Sequence, residues 1–300
     1  MADLTRICVG NDFTSGSGCA NRSAATLARS HGAHLDLVHV VPPLPLYERV
    51  LSGDAGRPNL GSLSQRALER LQSTAAASTF AGLSVSCAVR TGVPFVELIA
   101  HAREQEDDLI LVGEVGDDSG RGPRLGGTAE RVLRKAQVPV WIARGAMDQL
   151  PQTILAPTDF SEASLAALRQ AITLAGQWNA RLVVVHVIEP IAQLYGWGAE
   201  LAGSQVYGIE PEALAPEWLA LSERIPLPQL PMEQLTVRGF AADTLVGVAR
   251  ERQADLIVIG THGRSALPHA LLGSVAEAVA RRAPCSVLSV RHDAFTFRLP

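Results

Sequence analysis

The sequence predicts an α/β protein of two repeated open-sheet domains, each a five-stranded, mostly parallel sheet flanked by helices. Three observations carry this. Runs of Val, Ile and Leu such as DLIVIG at 255–260 lack polar alternation, so they read as strands buried on both faces. Between such runs lie longer segments with apolar residues three and four apart, the pattern of helices packed on a sheet. The chain also repeats itself. An offset of 147 residues carries Asp12-Phe13 onto Asp159-Phe160, His39-Val40 onto His186-Val187, Gly92 onto Gly239 and Asp108 onto Asp255, without drift. A period that long is a duplicated domain and not a solenoid unit, so the 300 residues divide into domains at 1–147 and 148–300, joined near Gly145 to Pro151.

In the first copy the strands are RICVG (6–10), HLDLVHV (34–40), LSVSCAV (83–89), DLILVG (108–113) and VPVWIA (138–143). In the second they are TILAP (153–157), RLVVVHV (181–187), QLTVRG (234–239), DLIVIG (255–260) and SVLSV (286–290). Residues 161–178 and 242–253 have helical periodicity, with Ser161 placed as an N-cap, and a last helix opens at Ser274. The insert at 188–233 carries Tyr195, Trp197, Tyr207 and Trp218 among six prolines, which forbid one continuous helix. ALAPEWLALSER (213–224) can form a short one with Pro216 near its start. The insert is either a lid or partner surface, or a long connection anchored by its aromatic residues.

Between the fourth strand and last helix of the second copy stands GTHGRSALPHALLGS, residues 260–274. Gly260 and Gly263 allow a sharp turn in which backbone N–H groups approach an anion. Gly273 and Ser274 open a helix whose first amides and positive dipole end favour negative charge, and the Ser274 hydroxyl adds a donor. Arg264 supplies a permanent cation, and His262 sits inside the turn, within reach of a phosphate. Charge-assisted hydrogen bonds of this kind contribute roughly 1.5–3 kcal/mol each, so four or five hold a nucleotide triphosphate. The competing reading is an ordinary strand-to-helix connection with a cap glycine and a helix-start serine.

The chain resembles the universal stress protein family over both halves. The family's nucleotide motif, GxxG, nine residues, then Gly and Ser or Thr, stands complete in GTHGRSALPHALLGS. TILAPTDFSEAS and SVAEAVARRAPCSVLSV are similar to the segments that begin and end such a domain. The resemblance implies an adenine nucleotide alpha hydrolase-like fold and binding of an adenine nucleotide, ATP with Mg²⁺ or Mn²⁺ as a companion ion. It places nucleoside contacts on Asp159, just after the first strand, and on a backbone group of Val187 at the end of the second. Thr158 flanks Asp159, and Val275 follows Ser274 in the phosphate cradle. Asp159 is equally suited to capping a helix. The family also implies association through the last strands, giving an intramolecular pseudo-dimer of the two domains, with a homodimer of chains as a further state.

The first copy departs from the motif. Gly113, Gly116 and Gly126 keep their intervals, but Gly127 replaces the serine, and Asp117-Asp118 replace Arg264-Ser265. Two carboxylates at about 4 Å from a phosphate, at an effective dielectric near 20, oppose binding by roughly 4 kcal/mol per charge pair, unless a metal ion bridges them. One good nucleotide site per chain is expected, in the second domain.

The net charge of −4 and the lack of a basic stripe argue against nucleic acid as a partner. No apolar run reaches the length of a membrane span and MADLTRICVG reads as strand, so a cytoplasmic protein is expected. The four cysteines, Cys8, Cys19, Cys87 and Cys285, lack metal-ligand spacing. His39 and His186 occupy equivalent strand ends and are expected as hydrogen-bonded structural histidines. No general base is paired with a water position, so the reading is a stress-response regulatory or binding module and at most a weak ATPase. The alternatives are a slow ATP-hydrolysing enzyme and a nucleotide-independent interaction scaffold. Absence of an SGGxDS turn disfavours ATP-pyrophosphatase-type ligases, and a glycine motif after the fourth strand disfavours flavin and nicotinamide.

Overall fold

The computed structural model describes residues 4–43, 60–114, 125–190, 209–225, 231–261 and 272–291. The chain falls into two compact units that meet in sequence between Gln149 and Leu150. In the first, strands β1 (Arg6–Gly10), β2 (His34–Val41), β3 (Val85–Thr91), β4 (Leu109–Gly113) and β5 (Val140–Ala143) lie in the order β3-β2-β1-β4-β5. Every neighbouring pair is parallel. Helices α1 (Ser15–His31), α2 (Leu60–Ala75), α3 (Pro94–Glu104) and α4 (Gly127–Lys135) connect them.

The second unit repeats the plan. Strands β6 (Thr153–Pro157), β7 (Arg181–Ile188), β8 (Met232–Arg238), β9 (Leu256–Gly260) and β10 (Ser286–Val290) run in the order β8-β7-β6-β9-β10. All four pairings are again parallel. Its helices are α5 (Glu162–Trp178), α6 (Ala215–Arg224), α7 (Ala241–Glu251) and α8 (Ser274–Arg282). In both units the connections reverse direction at the central strand, β1 or β6. The carboxyl ends there splay apart, leaving the crevice where open sheets bind ligands.

The expected strands form where buried apolar runs occur, with shifted ends for local reasons. The third strand begins at Val85 because Leu83 still closes a turn, its N–H donating to Phe80 carbonyl at 3.0 Å. The eighth begins at Met232, where Leu182 N–H takes up the carbonyl of Pro231 at 3.0 Å. The helix expected at 242–253 stops at Glu251, since Gln253 turns left-handed at φ 52°. Ser161 caps α5 by accepting from Ser164 N–H, and α6 starts with proline in its first turn. One acid pins the start of each central strand. Asp108 accepts from the N–H groups of Thr5 and Arg6 at 2.7 and 3.0 Å, and Asp255 accepts from Gln152 and Thr153 at 2.9 and 3.0 Å.

Backbone packs directly on backbone where the first helix of each unit passes the end of its fourth strand. A Cβ added at Gly113 would stand 2.4 Å from the Gly16 carbonyl, and one at Gly260 would stand 2.7 Å from the Ala163 carbonyl. Neither glycine has positive φ. Gly260 is therefore required by close helix–strand approach, a different physical demand from the anion-approaching turn expected from the motif. Gly260→Ala is expected to cost about 1–3 kcal/mol through overpacking. By contrast, Gly247→Ala, on the exposed face of α7 with open space around the new methyl, should gain roughly 0.5–1 kcal/mol. Urea denaturation of the full chain measures both.

Candidate functional site

At the switch point of the second unit, the chain leaves β6 through Thr158, Asp159 and Phe160. Thr158 N–H donates to Val185 carbonyl at 2.8 Å, continuing the ladder one residue past the strand. Phe160 then turns left-handed at φ 62°, and its N–H is held by Thr158 Oγ1 at 3.0 Å. Asp159 Oδ1 accepts from Ser161 N–H at 3.1 Å and Ser161 Oγ at 2.5 Å, forming an Asx turn. The cap of α5 is Ser161, with Asp159 bracing it from outside. The first unit builds the same turn with Asn11, Asp12, Phe13 at φ 63° and Thr14.

His186 completes this corner. Its Nδ1 lies 2.8 Å from the Thr158 carbonyl, and its ring packs on Phe160 at 4.7 Å between centroids. His39 does the same with Asn11 and Phe13, at 2.7 and 4.5 Å. Both are hydrogen-bonded structural histidines that hold an αL phenylalanine. Trp218 of α6 packs edge-on against Phe160 at 5.2 Å and donates through Nε1 to Thr236 Oγ1 at 3.1 Å. The described part of the insert is thus anchored on the rim by its tryptophan. Tyr195, Trp197 and Tyr207 lie outside the described residues.

Because β6 pairs only as far as Pro157 with Val185, β7 overhangs it. Val187 has the same parity as Val185, so its backbone N–H and C=O face the crevice side beyond the end of β6. Across that crevice, β9 ends at Gly260, and Thr261 is fully buried with its N–H on the Val290 carbonyl at 3.1 Å. Gly273 N–H donates to the Thr261 carbonyl at 2.7 Å. That bond staples the two ends of the glycine loop together. It also commits to the loop an amide that the motif alone would place among the anion-facing donors at the start of α8. Gly273 stands at the N-cap of α8 and has no side chain to offer, so among the described residues no capping side chain meets the first-turn amides of Ser274, Val275 and Ala276. His262, Gly263 and Arg264 lie outside the described residues, as do Gly116, Asp117 and Asp118 of the first copy.

The first unit shows a cavity of about 220 Å³ at the corresponding rim, lined by Asn11, Asp12, His39, Glu114, Gly126 and Thr128 among others. Gly126 N–H closes its loop on the Glu114 carbonyl at 2.6 Å, and α4 again starts at a glycine N-cap, with no capping side chain among the described residues. The side chain of Glu114 pairs with Arg144, Oε2 to Nε 3.1 Å. At the same offset the second unit has Thr261 for Glu114 and Arg291 for Arg144. Burial pulls the Arg291 guanidinium down to about 10, which leaves it a cation at neutral pH. The motif does not mark this Glu/Thr difference, since its pattern leaves the residue after the first glycine unspecified; aligning the two copies residue by residue does.

The fold and rim define a tandem open-sheet α/β protein whose crevice in each unit is bounded by an Asx turn and a helix start with a glycine at its N-cap. The universal stress protein family model matches residues 4–144 and 151–291. A universal stress protein of Mycolicibacterium smegmatis is 30% identical over 298 residues, covering 95% of this chain and 96% of that protein. One from Methanocaldococcus jannaschii is 33% identical over 153 residues, covering 48% of this chain and 84% of its own. A crystal structure of an Archaeoglobus fulgidus universal stress protein superposes with a TM-score of 0.73 at 20% identity, covering 96% of this chain and 98% of that one, which establishes the shared fold. The chain belongs to the universal stress protein family. No described helix is long and apolar enough to cross a membrane.

The Asx turn separates two roles of Asp159. Asp159→Ala removes the acceptor for Ser161 and should lower stability by about 0.5–2 kcal/mol, whereas Asp159→Asn keeps the acceptor and should cost little. Chemical denaturation of the two variants checks this.

Proposed function

We propose that the chain is a stress-response binding module that holds an adenine nucleotide, ATP, in its second unit. The observation that carries this reading is the start of α8. Three first-turn amides have no capping side chain among the described residues, beside a loop whose two ends are fixed by the Gly273–Thr261 bond and whose sequence is GTHGRSALPHALLGS. Phosphates at Ser274 and Val275, with Arg264 as counter-charge, use the helix dipole and these amides together. Thr158 and Asp159 then face the nucleoside from the end of β6, and Val187 offers a backbone donor and acceptor from the overhang of β7. Arg291, a buried cation one residue past the strand on which Thr261 is hydrogen-bonded, adds positive potential.

In the same proposal, residues 1–147 form a domain whose motif is degenerate and 148–300 the domain whose motif is intact. Glu114 and the missing serine at Gly127 support this assignment, because an acid at the rim disfavours a triphosphate even when an arginine offsets its charge. A companion Mg²⁺ or Mn²⁺ would find one carboxylate at the second rim, Asp159. That is a sparse set for hydrolysis, so ligand-driven change of conformation or association is the expected output.

Calorimetric titration of ATP should give one site per chain. Ser274→Ala should weaken binding by about tenfold or more, from loss of a hydrogen bond to a charged group of roughly 1.5–3 kcal/mol, and Arg264→Glu should weaken it further. Unchanged affinity in both variants would overturn the placement. Steady ATP turnover abolished by Asp159→Ala would instead make the chain an enzyme.

A further inference from the structure

The amino end of the first unit's sheet, opposite the ligand rim, holds a buried polar cluster. Asp36 on β2, His101 near the end of α3 and Asp107 just ahead of β4 are 3%, 5% and 2% exposed. One ligating atom from each lies within 4.8 Å of the others. Asp36 is held by the Arg6 guanidinium and the Ser86 hydroxyl, and His34 Nε2 stands 3.4 Å from it. Arg6 Nε is 3.6 Å from Asp107 Oδ1, within ion-pair reach but beyond a hydrogen bond. Nε2 of His101 is buried with no hydrogen-bond partner among the described residues, and the buried carboxylate oxygens of Asp107 find no donor there other than a proton shared with the neighbouring Asp36. Buried polar atoms left in that state are rare and costly.

The fold does not require them. At the 147-residue offset Asp36, His101 and Asp107 fall on Val183, Val248 and Ala254, which belong to the apolar core of the second unit. Cys8, in register with Asp36 on β1, falls on Leu155 of the same core, and Arg6 falls on Thr153. One copy of the domain therefore carries two acids, an imidazole and a thiol where the other packs with hydrocarbon, and an arginine where the other has a threonine.

We propose that Asp36, His101 and Asp107 form a binding site for one divalent transition-metal cation of the Zn²⁺ kind. One imidazole and two carboxylates suit borderline first-row cations better than Mg²⁺ or Ca²⁺, which prefer oxygen alone. Arg6 offsets one of the two carboxylates and leaves one negative charge in a desolvated place. A proton shared between Asp36 and Asp107 would neutralise that charge but leave His101 Nε2 without a partner; a cation engages all three residues. Asp36 keeps lone pairs for the metal beyond those taken by Arg6 and Ser86. Burial holds His101 toward its neutral, ligating form, and burial together with the neighbouring Asp36 pushes the Asp107 carboxyl up to about 7. The Cys8 thiol, pushed up by burial and by both acids, stays protonated beside the site.

The test uses the full chain, stripped with chelator under denaturing conditions and refolded with Zn²⁺, Mn²⁺ or Co²⁺ alone. The expected result is one Zn²⁺ or Co²⁺ per chain retained through gel filtration, visible Co²⁺ absorption bands, and a higher Tm with metal than without. Asp107→Asn should weaken retention at least tenfold. The combined variant Arg6→Thr, Asp36→Val, His101→Val, Asp107→Ala transplants the second unit's own residues and so has a precedent for folding. It should retain no metal and show a metal-independent Tm. Failure of the wild-type chain to retain any of the three cations, or equal retention by the combined variant, overturns the proposal and leaves a proton-sharing carboxyl pair.

Discussion

The close passage of one helix over the end of one strand sets the geometry of each unit. Where α1 meets Gly113 and α5 meets Gly260, backbone lies against backbone at a separation that excludes even a methyl group. To bring the helix so near, the chain must reverse sharply after β1 or β6. The left-handed phenylalanine, its histidine support and the Asx turn perform that reversal in both units. The same reversal puts an aspartate on the rim and leaves the overhanging end of the second strand facing the crevice. The glycine loop then departs from the one strand end that the helix has approached. The crevice is thus a by-product of packing before it is specialised by any side chain.

Duplication supplies a control that a single domain lacks. Two units share the sheet order, the turn, the histidine and the loop staple, so whatever differs between them is not demanded by the fold. At the rim, Glu114 with Arg144 stands against Thr261 with Arg291. In the core, Asp36, His101 and Asp107 stand against Val183, Val248 and Ala254. On the proposed reading, the first difference separates the ligand preferences of the two crevices. The second shows a polar cluster maintained at the cost of apolar packing that the same fold accommodates elsewhere.

Most of the fold was legible in the residues. Buried parallel strands need uninterrupted apolar runs, and DLILVG and DLIVIG declare themselves as such. The repeat carried the domain organisation, and Ser161 announced the start of α5. The rim of the crevice was legible as a position but less so in its wiring. Nothing local to Gly273 reveals that its amide is spent on Thr261, because that bond depends on how the loop closes. Gly260 was recognisable as obligatory, yet the pressure on it comes from Ala163, nearly a hundred residues earlier in the chain. Asp36 hides in HLDLVHV as one acid within an apolar run, and its partners arrive from a helix and a loop distant in sequence. Glu114 sits at a position where the motif specifies nothing.

We propose that the second of the two crevices holds the nucleotide, through amides at the start of α8. A crystal structure of the full chain grown with ATP tests it most directly. Density for the phosphates against Ser274 and Val275, with none at the first unit's cavity beside Glu114, is the predicted result. Nucleotide density at Gly127 and Thr128 of the first unit, with the second crevice vacant, would contradict the account.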